Sequence, residues 1–180
     1  MRYEIYSHRF ADIILNSDYS LKIEMEGIIG AISFDEIEVE FKMNNAEKEE
    51  QGKRAAKGKQ STINAAFKKR FVEAGWEQEK NVFNDPQNDL VIDFWRRKVG
   101  VDVAFNHRSF IGGDLLRLQA AAEVKNVINV GVYICATKPF LRQISPSDAA
   151  SMVSFERTQW FLQNFYSVLT VPIYLVGLTG

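Results

Sequence analysis

The chain has one cysteine, no apolar run of membrane-spanning length and almost no net charge, and each shortage removes a class of function. With Cys135 alone among 180 residues, no disulfide can form within the chain, which fits a reducing cytoplasm. Cys135 lies in Val132-Tyr133-Ile134-Cys135, a run that reads as buried strand. No stretch approaches the roughly 20 apolar residues needed to cross a bilayer, so no membrane role is expected. Met1 to Tyr6 does not read as a signal peptide, because Glu4 and Ser7 interrupt any apolar region. A net charge of −1 exerts no global pull on polyanions. A nucleic-acid ligand would need basic residues gathered locally. There is no internal repeat. Hydrophobic residues at 46% and charged residues at 25% describe an ordinary globular chain, long enough for one domain with one sizeable core.

What is present alternates helix and strand signals. Tyr3 to Tyr6 predicts a short strand, Phe10 to Leu15 a helical stretch, and Ser17 or Asp18 the cap of a second helix carrying Leu21, Met25, Ile28 and Ile29. In Phe34 to Met43, Ile37, Val39 and Phe41 alternate with acids, which predicts an exposed strand or arm. Asn44 to Gln60 is charged and poor in apolar residues, and predicts a mobile, solvated linker; Lys53, Arg54, Lys57 and Lys59 in its second half could close over a phosphate backbone. A helix capped at Ser61 or Thr62 follows, with Ile63, Phe67 and Phe71 on one side and Gly75 as its stop. Trp76 to Asn88 reads as turns, punctuated by Asn84-Asp85-Pro86. Leu115 to Ala122 predicts an amphipathic helix and Val127 to Cys135 an interior strand. Ser147 is the expected cap of a long helix through Met152, Phe155, Trp160, Phe161, Phe165 and Leu169, whose aromatic stripe reads as core. Val171 to Leu178 closes the chain as an apolar strand. Helices mixed with strands along the whole length predict a three-layer α/β/α arrangement around a mixed sheet.

The segment Ile92 to Phe105 carries the chemistry. It reads as two short strands joined by the basic turn Arg96-Arg97-Lys98, with one carboxylate on each strand. Val99, Val101, Val103 and Phe105 point one way, and Gly100, Asp102, Ala104 and Asn106 the other. Asp93 on the neighbouring strand can approach Asp102. A carboxylate among branched apolar residues is costly unless paired, and two of them repel. A divalent cation relieves both problems, and hard oxygen ligands suit Mg²⁺. The alternative is that the two acids are solvated or paired with Arg96, Arg97 or Lys98.

Several segments, taken in order, resemble the BglII and BstYI group of type II restriction endonucleases. They are Tyr3-Glu4-Ile5-Tyr6-Ser7-His8, Asn64-Ala65-Ala66-Phe67-Lys68 through Ala74-Gly75-Trp76, Asp93 through Phe110, Asn129-Val130-Gly131-Val132 through Lys138, and Val171 through Leu178. The resemblance covers most of the chain and implies the PD-(D/E)XK nuclease fold, a single domain over 1–180, in which acids at Asp93 and Asp102 and the backbone carbonyl of Val103 hold Mg²⁺. The group usually carries Glu where this chain has Asp102, and Gln where it has Ala104; relatives elsewhere in the fold carry Glu or Lys at the latter position. A methyl cannot orient water or balance charge, so Ala104 departs from the pattern. Glu77 and Gln78 resemble the region from which related enzymes supply a further active-site group; the alternative for both is an exposed turn.

The resemblance further implies hydrolysis that leaves 5′-phosphates at a short palindromic site in double-stranded DNA, with GATC as the candidate centre, by a homodimer with a partner methyltransferase. His107 and Ser109 match base-reading positions, and Ser145 and Ser147 a second recognition segment. Arg108, beside Asn106 in the same turn, is a chemical candidate for guanine O6 and N7. Arg96 and Lys98 are expected at phosphates or solvent, and His8 in a structural role near the first helix. Two other functions compete: a DNA-binding protein of this fold that no longer cuts, for which Ala104 speaks, and a metal-dependent hydrolase of small molecules, for which there is no second motif.

Overall fold

Apolar strands alternate with amphipathic helices, so the sheet must be covered on both faces, and that is how the chain folds in a computed structural model. The structure describes residues 1–83, 85, 87 and 90–180. The strands are β1 (Tyr3–His8), β2 (Glu77–Asn81), β3 (Val91–Arg96), β4 (Val99–Val103), β5 (Val130–Ala136) and β6 (Ile173–Leu178). They form one mixed sheet in the order β1-β6-β5-β4-β3-β2. The central strands β4, β5 and β6 run parallel, and β1, β3 and β2 are antiparallel to their neighbours. Strand β5 is buried along its whole length, as its uninterrupted apolar run requires.

One face is covered by α1 (Ala11–Asn16), α2 (Tyr19–Gly30), α3 (Phe34–Glu50), α4 (Gln60–Glu73) and α6 (Lys138–Ile144), which bury Leu15, Met25, Ile37, Phe67 and Phe140 against Val99, Val101 and Val132. The other face is covered by α5 (Ile111–Gln119) and α7 (Phe155–Asn164), whose Leu115, Leu118, Phe155 and Leu162 pack on Ala104, Tyr133, Cys135 and Leu175. The three-layer expectation holds. So does the alternation in β4, with its valines in one core and Ala104 in the other.

Five local expectations are corrected. Phe34 to Met43 is not a strand but the start of α3, and Asn44 to Glu50 completes that helix instead of forming a linker. Ser33 accepts from the Glu36 amide, a capping pair, and burial recurs at Phe34, Ile37, Phe41, Asn45 and Lys48 with helical spacing. The period-2 signal from Ile37, Val39 and Phe41 misled because Val39 is exposed. The connection 51–59 is held where Asn45 Nδ2 donates to the Ala56 carbonyl at 3.1 Å and the Ala56 amide donates to Asn45 Oδ1 at 2.8 Å. Helix α4 starts at Gln60 after Lys59, without a side-chain cap, so Ser61 and Thr62 lie inside its first turn. Its stop is as expected: Gly75 has φ of 81°, a left-handed position that suits glycine.

In Trp76 to Asn88, Glu77–Asn81 is an edge strand whose polar sequence gave no strand signal; Asn84, Pro86 and Asn88 lie outside the described residues. Ser147 caps no helix. Ser154 does, accepting from the Arg157 amide at 3.3 Å, and α7 ends at Asn164. Its aromatic stripe is divided, with Phe155 buried and Trp160 exposed. No helix among the described residues is long and apolar enough to cross a membrane.

Candidate active site

The turn between β3 and β4 places the two acids. Arg97 and Lys98 both have positive φ, 44° and 66°, and they join Arg96 directly to its partner Val99. Two left-handed residues in a two-residue loop match the right-handed twist of a hairpin. Arg97 is steadied by Asp18 at 3.3 Å, and Lys98 Nζ donates to the Asn126 carbonyl. Arg96 is drawn away from solvent: its Nη1 donates to Glu24 Oε1 at 2.8 Å, beside the Trp76 indole N–H bound to the same oxygen at 2.8 Å. Neither Arg96 nor Lys98 pairs with the aspartates.

Backbone pairing of β3 with β4 runs from Arg96 to Phe94 and then gives way to side chains. The Asp93 amide donates to Asp102 Oδ1 at 3.2 Å, and the Val103 amide donates to Asp93 Oδ2 at 2.8 Å. Each carboxylate thus bridges to the other strand, and the two acids are neighbours. The strand is irregular at this point. Ile92 and Phe94 fall in opposite cores, whereas an unbroken strand keeps residues two apart on one face. Pairing of β2 with β3 also skips the step between Gln78–Phe94 and Lys80–Ile92, where Glu79 stands opposite Asp93 with φ of 51°.

Asp102 is 1% exposed and its second oxygen faces Arg117 of α5, which donates through Nη2 at 2.8 Å and Nε at 3.3 Å. Arg117 Nη2 also donates to Asp114 Oδ1 at 3.2 Å. Asp114 Oδ2 accepts from the buried Tyr133 hydroxyl at 2.8 Å and from Asn106 Nδ2 at 3.5 Å. Burial pushes the Asp102 carboxyl above the usual range; Arg117 opposes the shift and Asp93 adds to it. Burial likewise raises Asp93, against the Val103 amide and Arg117, with Asp114 and Glu79 adding to the rise. Burial works against the Arg117 charge, but Asp102, Asp114 and Asp93 together hold its pKa above the ordinary value.

The sequence reading missed Arg117, Asp114, Tyr133 and Glu79. A signal existed for two of them: Asp114 and Arg117 sit three apart on the helix that also buries Ile111, Leu115 and Leu118, and charges on a buried stripe need partners. Ala104 is 3% exposed and belongs to the apolar core under α5. Glu77 is exposed, bonded to Lys80 at 3.5 Å and opposite Trp95, not Asp93. Gln78 is exposed opposite Phe94.

The turn Asn106 to Phe110 is exposed and leads through the 3-10 turn Arg108–Phe110 into α5. His107 Nδ1 caps it, accepting from the Ser109 amide at 3.2 Å and lying 2.8 Å from Ser109 Oγ. The segment 145–154 lies alongside. The Val153 amide donates to the Asn106 carbonyl at 3.1 Å, and Arg108 Nη1 to the Ala150 carbonyl at 3.3 Å. Ser147 is exposed and donates to Asp148 Oδ2 at 2.9 Å, whereas Ser145 is buried beside the same carboxylate at 3.5 Å. Bounded by Arg108, the segment 146–154, α6 and the start of α7 is a groove of about 520 Å³ whose lining includes Arg108, Lys138, Arg142 and Arg157 and no acid. His8 is remote from this assembly, buried with Nε2 at 2.8 Å from the Leu169 carbonyl, as a structural role requires.

Comparison with known proteins agrees with this fold. No curated protein sequence matches the chain. The crystal structure of restriction endonuclease BglII complexed with a DNA 16-mer superposes with a TM-score of 0.73 at 22% identity, over 100% of this chain and 79% of that one. At that identity the likeness establishes the fold. The family model for restriction endonucleases BglII/BglIII matches residues 3–178, nearly the whole length. The chain therefore belongs to the BglII/BglIII family of type II restriction endonucleases, enzymes that cut DNA at specific sites.

Proposed function

We propose that this endonuclease hydrolyses phosphodiester bonds of a short palindromic DNA site with Mg²⁺ held by Asp93, Asp102 and the backbone carbonyl of Val103. The observation that carries this reading is the pair of carboxylates bridging β3 and β4, one strand-end away from an exposed turn and a basic groove. Asp102 and Asp114 share the single guanidinium of Arg117 and Asp93 accepts from the Val103 amide, so the centre is short of positive charge. Burial raises both strand acids, and a cation would relieve that cost. Mg²⁺ binds through one or two carboxylates together with phosphate oxygens and waters, so two strand acids are enough to hold it. When bound, such an ion supplies an activated water and offsets charge on the phosphoryl group, leaving a 5′-phosphate and a 3′-hydroxyl.

Lys138, Arg142 and Arg157 in the groove hold the phosphate backbone, which positions the duplex without specifying sequence. Asn106, His107, Arg108 and Ser109 project from the exposed turn toward base edges, with Ser147 beside them; buried Ser145 supports that segment through Asp148. The site is short, with GATC as the candidate centre. A palindrome cut on both strands needs two copies related by a two-fold axis, hence a homodimer. The exposed apolar strip of Leu116 on α5 with Phe165 and Val168 after α7 is surface that a second copy would cover. A methyltransferase that modifies the same site protects the host DNA.

The test is incubation with DNAs carrying varied palindromes in Mg²⁺ and in Ca²⁺, alongside Asp93→Asn, with sedimentation to measure mass. Discrete 5′-phosphorylated fragments in Mg²⁺ alone, lost in the variant, support the reading. Undiminished cutting by Asp93→Asn would place the metal elsewhere.

A further inference from the structure

Ala104 leaves the centre without the polar group that the related enzymes' pattern puts two residues after the second acid. Its methyl is buried against α5, and Ile111, Leu115 and Leu118 close over it. The space a longer residue at 104 would reach is approached from the helix instead. Asp102 and Ala104 lie on the sheet face that α5 covers, and α5 delivers Arg117 directly to Asp102, at 2.8 Å and 3.3 Å. Nothing in the hairpin competes: Arg96 is committed to Glu24, Arg97 to Asp18 and Lys98 to a carbonyl.

Resting on the reading of Asp93 and Asp102 as the cleavage centre, we propose that Arg117 is a catalytic residue that donates to the scissile phosphate, supplying from a helix the polar group Ala104 cannot. Three features prepare it for that task. The Arg117 side chain is 20% exposed while its two carboxylate partners are at most 8% exposed, so it is the most accessible member of the three. Nε and Nη2 make the contacts to Asp102 and Asp114, and Nη1 has no partner among the described residues. With Nε and both Nη2 hydrogens engaged, Nη1 is the donor left for a phosphoryl oxygen, one charge-assisted hydrogen bond from a guanidinium already held in place.

The anchoring also comes from more than one element. Asp114 is fixed by the Tyr133 hydroxyl of β5 and touched by Asn106 of the exposed turn, so Arg117 is aimed by the strand beside β4 and by the segment that faces DNA. A donor held in place before the reaction costs no reorganisation as charge develops on the phosphoryl oxygens.

The experiment compares the wild type with Arg117→Lys, Arg117→Met, Arg117→Ala and Asp93→Asn in three measurements. These are single-turnover cutting of a plasmid pool in Mg²⁺, binding of the same DNA in Ca²⁺, and Mn²⁺ binding by calorimetry. Arg117→Met leaves buried acids unpaired, so Arg117→Lys, which keeps the charge, guards against a variant that does not fold. The expected result is a loss of roughly 10²–10⁴-fold in cutting for Arg117→Met and a smaller loss for Arg117→Lys. DNA and Mn²⁺ binding stay within about threefold of wild type, because neither is the group's function. Added guanidinium salt, below unfolding concentrations, restores part of the Arg117→Ala rate.

Cutting by Arg117→Lys and Arg117→Met within about threefold of wild type, while Asp93→Asn is dead, would overturn the role of Arg117 alone. A loss of rate that matches a loss of Mn²⁺ or DNA binding and resists guanidinium would make Arg117 a structural partner of the acids, which also overturns it. No cutting by the wild type in Mg²⁺ or Mn²⁺ would overturn the cleavage centre itself and the proposal with it.

Discussion

The acid pair and the basic groove are built on opposite principles. Asp93 and Asp102 are negative, withdrawn from water and held by backbone amides and one guanidinium, whereas Arg108, Lys138 and Arg142 are positive and exposed. The first region carries unrelieved charge in a low-dielectric setting, so its natural complement is small and cationic. The second spreads charge over a groove, so its complement is a polyanion. A net charge of −1 conceals both, because 22 basic and 23 acidic residues nearly cancel over the whole chain. Placing them side by side lets one ligand, a phosphodiester backbone, satisfy the groove while bringing oxygens to the acids. Asn106 joins the two regions, its backbone bonded to Val153 and its side chain to Asp114.

The sharpest way to break this contrast is to neutralise one region at a time. Asp93→Asn should lower single-turnover cutting by on the order of 10³-fold or more while leaving DNA binding in Ca²⁺ intact, as quench-flow and fluorescence anisotropy would record. Arg142→Ala with Arg157→Ala should do the reverse, weakening DNA binding at all sequences. It should also reduce the slope of log affinity against log salt by about 2 if each side chain neutralises one phosphate.

A subtler break is Tyr133→Phe. It removes the buried donor to Asp114 without leaving a cavity, at a cost of about 1–3 kcal/mol, and thermal melting should show a drop of about 2–4 °C per kcal/mol. The smallest effect is on pH dependence. Both strand acids have folded pKa values raised by burial, so the folded chain holds protons that the unfolded chain has already released. Stability from these groups is full below about pH 4, the unfolded carboxylate range, and declines as pH rises toward the raised value of about 7 at Asp102. Mg²⁺ should therefore raise Tm more at about pH 8 than at about pH 5, and Asp102→Asn should flatten the decline. An equal Mg²⁺ effect at both pH values would mean that the ion binds elsewhere.

The acid pair was legible because strand alternation is strict: Val99, Val101 and Val103 on one face oblige Asp102 to the other, and the basic turn brings Asp93 back beside it. Helix α3 was misread because apolar residues at 37, 39 and 41 satisfy period 2, while Phe34, Ile37 and Phe41 also satisfy the helical period, and the Ser33–Glu36 cap was the deciding clue. Strand β2 was invisible because an edge strand needs no apolar alternation on a side that faces water. Arg117 and Asp114 were passed over because their partners come from other segments. Asp102 is 15 residues from Arg117 and Tyr133 is 19 from Asp114 in the chain.

By itself, the sequence determined the sheet-and-helix architecture, the two strand acids and the turn that follows them, since periodicity and hairpin chemistry act between near neighbours. Only the tertiary structure decided that a helix arginine faces Asp102, that Glu79 stands across from Asp93, and that scattered cations line one groove. Those placements depend on how β4, β5 and α5 pack together, and packing distances are not written in local spacing.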